Sequence, residues 1–216
     1  MAKVDRDSNS GVTLTELLVT MAIFLIVGTM LSVEFSSWIT NTKIAQDRSE
    51  AMQQGRLAMA QLTKELRQAI SPTASPSAFE DAGPFSITFR ELTTTLAATS
   101  SPIRVTFSLT PQRTLTYFSR TANGVVIKGP VPIASYVSNP TTGPQTMPVF
   151  RYFTITRDST FQELPSSVQK LPLTASERTQ IAQIQITLIM DKDPSSSIGQ
   201  TRFSDTVLVR SWGFAV

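Results

Sequence analysis

The chain of 216 residues contains no cysteine and no histidine. Without cysteine there is neither a disulfide framework nor thiolate chemistry, and a cysteine-free chain suits either side of a membrane. Without histidine there is no imidazole base and no histidine-dependent triad, and neither a glycine-rich phosphate loop nor a spaced carboxylate pair stands out. The expectation is a chain that is not an enzyme and has no cofactor. Charge is also scarce: Asp, Glu, Lys and Arg make up 16% of the residues, with a formal net charge of +3. The basic residues occur singly and form no clustered patch of the kind that neutralises a phosphate backbone, which argues against nucleic acid as a partner.

The scarcity is most pronounced near the N-terminus, where no charged residue occurs between Glu16 and Glu34. Val12 to Val33 is a run of about 22 residues carrying one carboxylate, roughly 33 Å long as a helix and enough to cross a bilayer core. The preceding "MAKVDRDSNS" is too short and polar to fold, and reads as a leader or a cytoplasmic stub. "GTMLS" near Gly28 is a weak signal-peptidase site, so ordinary secretory cleavage is the less favoured fate.

The sequence from Glu34 to Ile70 contains no proline. Ile44, Met52, Met59, Leu62, Leu66 and Ile70 recur at helical spacing and predict one apolar stripe, with Lys43, Asp47, Arg48, Glu50, Lys64, Glu65 and Arg67 mostly off it. One helix is therefore expected across the apolar run and the amphipathic segment, stopping at "SPTASP", where Pro72 restricts Ser71 and Pro76 prevents resumption. Gly28 and Gly55 are soft points in such a helix, and Gly28 would equally permit close helix packing.

Beyond Pro76 the chain reads as β-structure. Phe85–Arg90, Ile103–Leu109, Thr114–Ser119, Gly124–Lys128, Val149–Thr156, Gln183–Met190 and Phe203–Arg210 are short, alternating and rich in β-branched or aromatic residues. Asn123-Gly124 predicts a two-residue hairpin turn, and Thr110–Arg113 a second turn. The strands should form an antiparallel meander whose open face is covered by the apolar stripe of the helix, an α+β head. Segments Thr93 to Pro102, Ser138 to Pro148 and Asp191 to Thr201 read as loops. Thr174 with Glu177 three residues on predicts a capped short helix from Ala175 toward Ile181. "DKDPSSS" at Asp191 to Ser197 offers two carboxylates, but Pro194 and Ser195 spoil an EF-hand pattern, so a solvated turn is expected rather than a calcium loop. Trp38 suits an interfacial anchor and Trp212 a core position.

"GVTLTELLVTMAIF", Gly11 to Phe24, resembles the processing site of the type IV pilin-like family. The resemblance implies that a prepilin peptidase cuts between Gly11 and Val12 and methylates the new N-terminus on Val12. It also implies that Glu16 pairs with the free amine of a neighbouring subunit during assembly. The implied division is a leader over 1–11, a transmembrane and assembly helix over 12–33, an amphipathic helix over 34–70 and a β-rich head over 71–216, which is the pilin fold. The implied partners are other pilin or pseudopilin subunits, the prepilin peptidase, an inner-membrane assembly platform and the membrane itself. The head is expected on the extracytoplasmic side of the cytoplasmic membrane. Val12 departs from the usual phenylalanine, and the leader's charges cancel. "RLAMAQLTKELRQAI" and the late "VLVR" are similar to J-type minor pseudopilins and minor pilins. Major pilins often carry a kinking proline in the membrane segment and a C-terminal cysteine pair, and this chain has neither, which favours a minor pilin or pseudopilin over a main fibre subunit; the J-type resemblance implies a place near the fibre tip and a part in initiating assembly. The rival reading is an extracytoplasmic sensor or binding module held by an uncleaved signal anchor.

Overall fold

The computed structural model describes residues 13–71, 77–92, 102–143, 145–165, 170–193 and 200–209. Gly11, Val12, the leader, Pro72, Pro76, Trp212 and Ser195 to Ser197 lie outside the described residues. Helix α1 runs from Leu14 to Arg67 over 54 residues. The chain divides into two compact units, with the boundary inside α1 between Gln46 and Asp47.

In the second unit α1 is joined by nine strands among the described residues: β1 (Phe79–Ala82), β2 (Ser86–Leu92), β3 (Pro102–Leu109), β4 (Leu115–Thr121), β5 (Val126–Ala134), β6 (Phe150–Ile155), β7 (Phe161–Leu164), β8 (Gln183–Met190) and β9 (Thr201–Leu208). The fold is the expected α+β arrangement of a long helix followed by antiparallel sheet. The single expected meander is instead two sheets, one in the order β1-β2-β3-β4-β5 and one in the order β7-β6-β8-β9. Two strands escaped the sequence reading. β1 and β7 are only four residues long, too short to display a period. β5 continues past Lys128 through Pro130 and Pro132, which is tolerated because it is an edge strand and needs no amide donor on its outer side.

Three of the hairpins share one device. Gly124 N–H donates to Thr121 O (3.0 Å) and Thr121 N–H to Val125 O (2.8 Å), with Gly124 at φ +86°. This is a three-residue loop closed by a left-handed residue, rather than the two-residue Asn-Gly turn expected. Thr110–Thr114 and Thr156–Thr160 repeat the pattern, with Arg113 (φ 62°) and Ser159 (φ 58°) in the left-handed position. The segment joining the sheets is pinned by buried Asn139. Its Nδ2 donates to Met147 O (3.2 Å) and Thr187 O (2.9 Å), and its Oδ1 accepts from Ile189 N–H (2.8 Å). The capped helix appears as α2 (Ala175–Arg178), with Thr174 and Glu177 closing a capping box.

The core lies between α1 and the two sheets. Ile87 and Phe89 of β2, Val105 and Phe107 of β3, Leu115 and Tyr117 of β4, and Tyr152, Ile184, Ile186 and Leu188 of the second sheet are buried in one cluster with Ala58, Leu62 and Leu66 of α1. Phe79, Phe89, Phe107 and Tyr117 form a file of rings with centroids 6.3, 6.2 and 5.4 Å apart, within the range for favourable aromatic pairs. The helix seam is narrower than the expected stripe: Ala51, Gly55, Ala58, Met59, Leu62 and Leu66 are buried, while Ile44 is exposed and Met52 and Ile70 are half-buried. Small residues dominate the first turns of the seam because the sheet approaches closely there. A Cβ built on Gly55 would sit 2.4 and 2.8 Å from carbons of the Phe203 ring and 2.9 Å from Met190 Cγ. Gly55 is therefore a contact point and not a soft point.

The helix also stops earlier than Pro72. Gln68 N–H donates to Glu65 O (3.0 Å) and Ala69 N–H to Leu66 O (3.2 Å), tightening the last turn, and Ile70 N–H then bonds Arg90 O of β2 (2.8 Å). Polar links complete the docking. Ser135 N–H donates to Gln54 Oε1 (2.9 Å) and Thr63 Oγ1 to Asp205 Oδ2 (3.0 Å). Asp191 itself is buried rather than solvated, Arg113 donates to its carbonyl, and Lys192 reaches Asp47 (2.7 Å) and Glu50 (2.8 Å) on α1; Asp193 is exposed, and residues 194–199 lie outside the described residues. That double pairing raises the Lys192 pKa.

Two expectations follow. Replacing Gly55→Ala forces a methyl into Phe203 and should cost about 1–3 kcal/mol from overpacking, offset by up to about 1 kcal/mol of helix propensity. Thermal unfolding of the full chain in detergent should show a lower midpoint for Gly55→Ala and none for Gly28→Ala, whose Cβ would meet nothing within 4 Å. Glu91 of β2 is 8% exposed, and burial, then the facing Glu65 carboxylate of α1, push its pKa up to about 8. A raised carboxyl pKa means that the folded state holds the proton more tightly. Its contribution is full below the ordinary value of 4.5 and is lost as pH rises through about 8. Glu91→Gln should flatten the fall in stability over that window, as read by denaturation midpoints at stepped pH.

Candidate functional site

The first unit holds the residues that the sequence reading singled out. Val12 to Val33 is apolar apart from five hydroxyl side chains and Glu16, and the absence of proline lets the backbone stay helical throughout. Leu14 and Phe24 are each 80% exposed, and every described residue from Thr13 to Val33 is exposed except half-exposed Gly28. The most apolar window of α1 reaches a mean hydropathy of 2.2 with none of it buried. A core helix of a soluble domain would be covered by its own chain. This one is covered by none of the described residues, so its contiguous apolar surface calls for lipid or other helices.

The polar atoms in the segment are arranged for that surrounding. Thr20 Oγ1 donates to Glu16 O (2.8 Å), Thr29 Oγ1 to Ile26 O (2.8 Å) and Ser32 Oγ to Gly28 O (2.8 Å). The Thr15 hydroxyl lies 3.1 Å from that of Thr13. Each hydroxyl is thus satisfied within the helix, as a hydrocarbon surrounding demands. Past Glu34, Phe35, Trp38 and Ile39 remain exposed, which suits an aromatic residue at a membrane boundary.

Glu16 sits in the first turn of α1. Thr13 N–H and Thr13 Oγ1 donate to Glu16 Oε2 (3.3 and 3.2 Å), and Glu16 N–H donates to Thr13 Oγ1 (3.3 Å). This is a capping box that fixes where the helix begins, and it places the carboxylate at the positive end of the helix dipole. The sequence reading identified Glu16 and overlooked Thr13, although Thr-x-x-Glu before an apolar run is the signature of such a box. Both side-chain contacts fall on Oε2, and Oε1 accepts no hydrogen bond from the described residues. The flanking processing positions, Gly11 and Val12, lie outside the described residues.

The model of the prokaryotic N-terminal methylation motif matches residues 6–32. The match spans Gly11, Val12, the Thr13–Glu16 cap and most of the uncovered apolar run. It supports a type IV pilin-like family for the chain, processed by a prepilin peptidase and assembling with other pilins, and the helix-and-sheet architecture is the pilin-like one. The apolar helix and the motif are together consistent with anchorage in the inner membrane. No curated protein matches the chain.

Among the described residues no group of three or more acidic side chains converges as a metal site. An open cavity of about 490 Å³ is lined by Met59, Ala60, Thr63, Lys64, Arg67, Gln68 and Asp205. It lies along the solvent side of α1 in the second unit, and its polar side chains include the Thr63–Asp205 pair that docks the helix.

Proposed function

We propose that the protein is a minor pilin or pseudopilin subunit, cut between Gly11 and Val12, methylated on the Val12 amine, and assembled through its N-terminal helix. The observation that carries this reading is the uncovered apolar surface of Leu14 to Val33, headed by Glu16 inside the methylation motif. In the membrane, lipid covers that surface; in the fibre, the same segments of neighbouring copies cover it. The role is mechanical, without an enzymatic step.

Cleavage creates a cation that the precursor lacks. The new amine on Val12 needs a counter-charge in a low-dielectric bundle, and a carboxylate on a neighbouring copy supplies it. Glu16 is poised for that exchange. Its cap bonds are local, worth on the order of 0.5–2 kcal/mol, and they use one oxygen, leaving Oε1 for an incoming ammonium. An ion pair formed only when two copies are correctly staggered would set register as well as affinity. The missing kink proline in the membrane segment supports a minor or pseudopilin subunit over a main fibre subunit, and the likeness of "RLAMAQLTKELRQAI" and "VLVR" to J-type subunits supports a place near the tip, helping to initiate the fibre on an inner-membrane platform. The head lies on the extracytoplasmic side in this reading.

Mass spectrometry of the membrane-extracted protein tests the processing step. The expected N-terminus is Val12 bearing one added methyl group, whereas an intact chain beginning at Met1 or Ala2 would establish the uncleaved-anchor alternative. For assembly, Glu16→Gln is the informative variant, because Gln keeps the capping box while removing the charge. Its membrane insertion should be normal and its recovery in the fibre fraction should fall roughly tenfold or more, the scale of a lost buried charge partner; unchanged recovery would sink the pairing role.

A further inference from the structure

The face of the first sheet that points away from the core carries arginines in register. Arg90 of β2 pairs with Arg104 of β3, and Arg104 with Arg120 of β4. Residues directly opposite share a face with Cβ atoms about 5 Å apart, where like charges destabilise the sheet. One carboxylate is shared by two of the three guanidiniums. Glu80 Oε1 accepts from Arg90 Nε (2.7 Å) and Arg104 Nε (2.8 Å). Arg120 has no such partner among the described residues, and its Nε is buried with no acceptor.

The row ends at an apolar edge. Arg120 lies opposite Val126 of β5, and Val125, Val126 and Ile127 are 65, 55 and 54% exposed. β5 is the last strand of its sheet. Three consecutive exposed aliphatic residues beside a half-exposed arginine have the composition of a protein interface, in which Arg is enriched over Lys and apolar contact supplies the centre. A free oxyanion would use the arginine and leave the aliphatic edge bare.

We infer that the corner of β4 and β5 is a docking surface for a protein segment that carries a carboxylate flanked by aliphatic side chains. The carboxylate takes the Arg120 fork and an aliphatic neighbour covers Val126. Arg104, already shared with Glu80, adds attraction at longer range. The surface is independent of processing at Val12 and of pairing at Glu16, so its failure would leave the subunit reading intact.

The probe is a labelled eight-residue peptide of alternating Glu and Val, titrated by fluorescence anisotropy against the full chain in detergent micelles. Saturable binding is expected, with none for the Lys-Val counterpart. Arg120→Gln should weaken it roughly tenfold or more, the scale of an interface anchor. Val126→Glu, at an exposed edge where folding is not at stake, should abolish it through repulsion of the peptide carboxylate. Absence of binding by the Glu-Val peptide, or equal binding by both variants, would overturn the inference. Displacement by an equal concentration of inorganic phosphate would also overturn it, showing that the site takes a free oxyanion.

Discussion

An apolar helix surface has to be kept from water, and α1 meets that constraint in two ways along one chain. From Ala51 to Leu66 the cover is built in. Small residues let Phe203 and Met190 come within contact of Gly55, larger ones fill the space nearer the helix end, and both sheets contribute side chains to the same core. From Leu14 to Val33 the chain supplies no cover among its described residues. The same helical backbone therefore carries a seam satisfied by folding and a surface that only a bilayer or other helices can satisfy. The internal bonding of Thr20, Thr29 and Ser32 fits that division, since a hydroxyl facing lipid has no water to turn to.

Glu16 gains a second meaning from its neighbour Thr13. Considered alone, a carboxylate at the head of an apolar run is an expensive group placed where hydration softens its cost. In the structure it is also half of a capping box, so it marks the start of the helix. The two roles do not compete for the same atoms. Oε2 serves the cap, and in the proposed pairing Oε1 remains for the amine that cleavage would create. On this account one residue both defines the start of the helix and fixes how two helices align.

Much of this was legible in the residues. The apolar run, the proline-free helix, the capped α2 and the cores of seven strands follow from periodicity and turn chemistry. What escaped was set by packing rather than by pattern. Ala51, Gly55 and Ala58 form the seam because the sheet comes close, whereas a search for large apolar residues selects Ile44, which is exposed. β5 runs through two prolines because it lies at an edge, a position that local sequence does not reveal. The segment connecting the two sheets is held by Asn139 through tertiary bonds to partners 8 to 50 residues away, which local sequence does not reveal. The burial of Asp191 at the start of its turn escapes local sequence because it comes from Arg113 and from the Lys192 pairing with α1. At the candidate site, Glu16 was visible and its cap was overlooked, although Thr-x-x-Glu was there to be read.

The central claim is that the surface from Leu14 to Val33 passes from lipid to contact with other copies of itself. The absence of native cysteine makes this directly measurable, because a single introduced thiol reports without background. Ile23→Cys lies midway along the uncovered run. Oxidative crosslinking of cells assembling fibres should give disulfide-linked species containing this subunit for Ile23→Cys, and the yield should collapse when Glu16→Gln is combined with it. Crosslinking that is absent in assembling cells, or that persists unchanged with Glu16→Gln, would contradict the account.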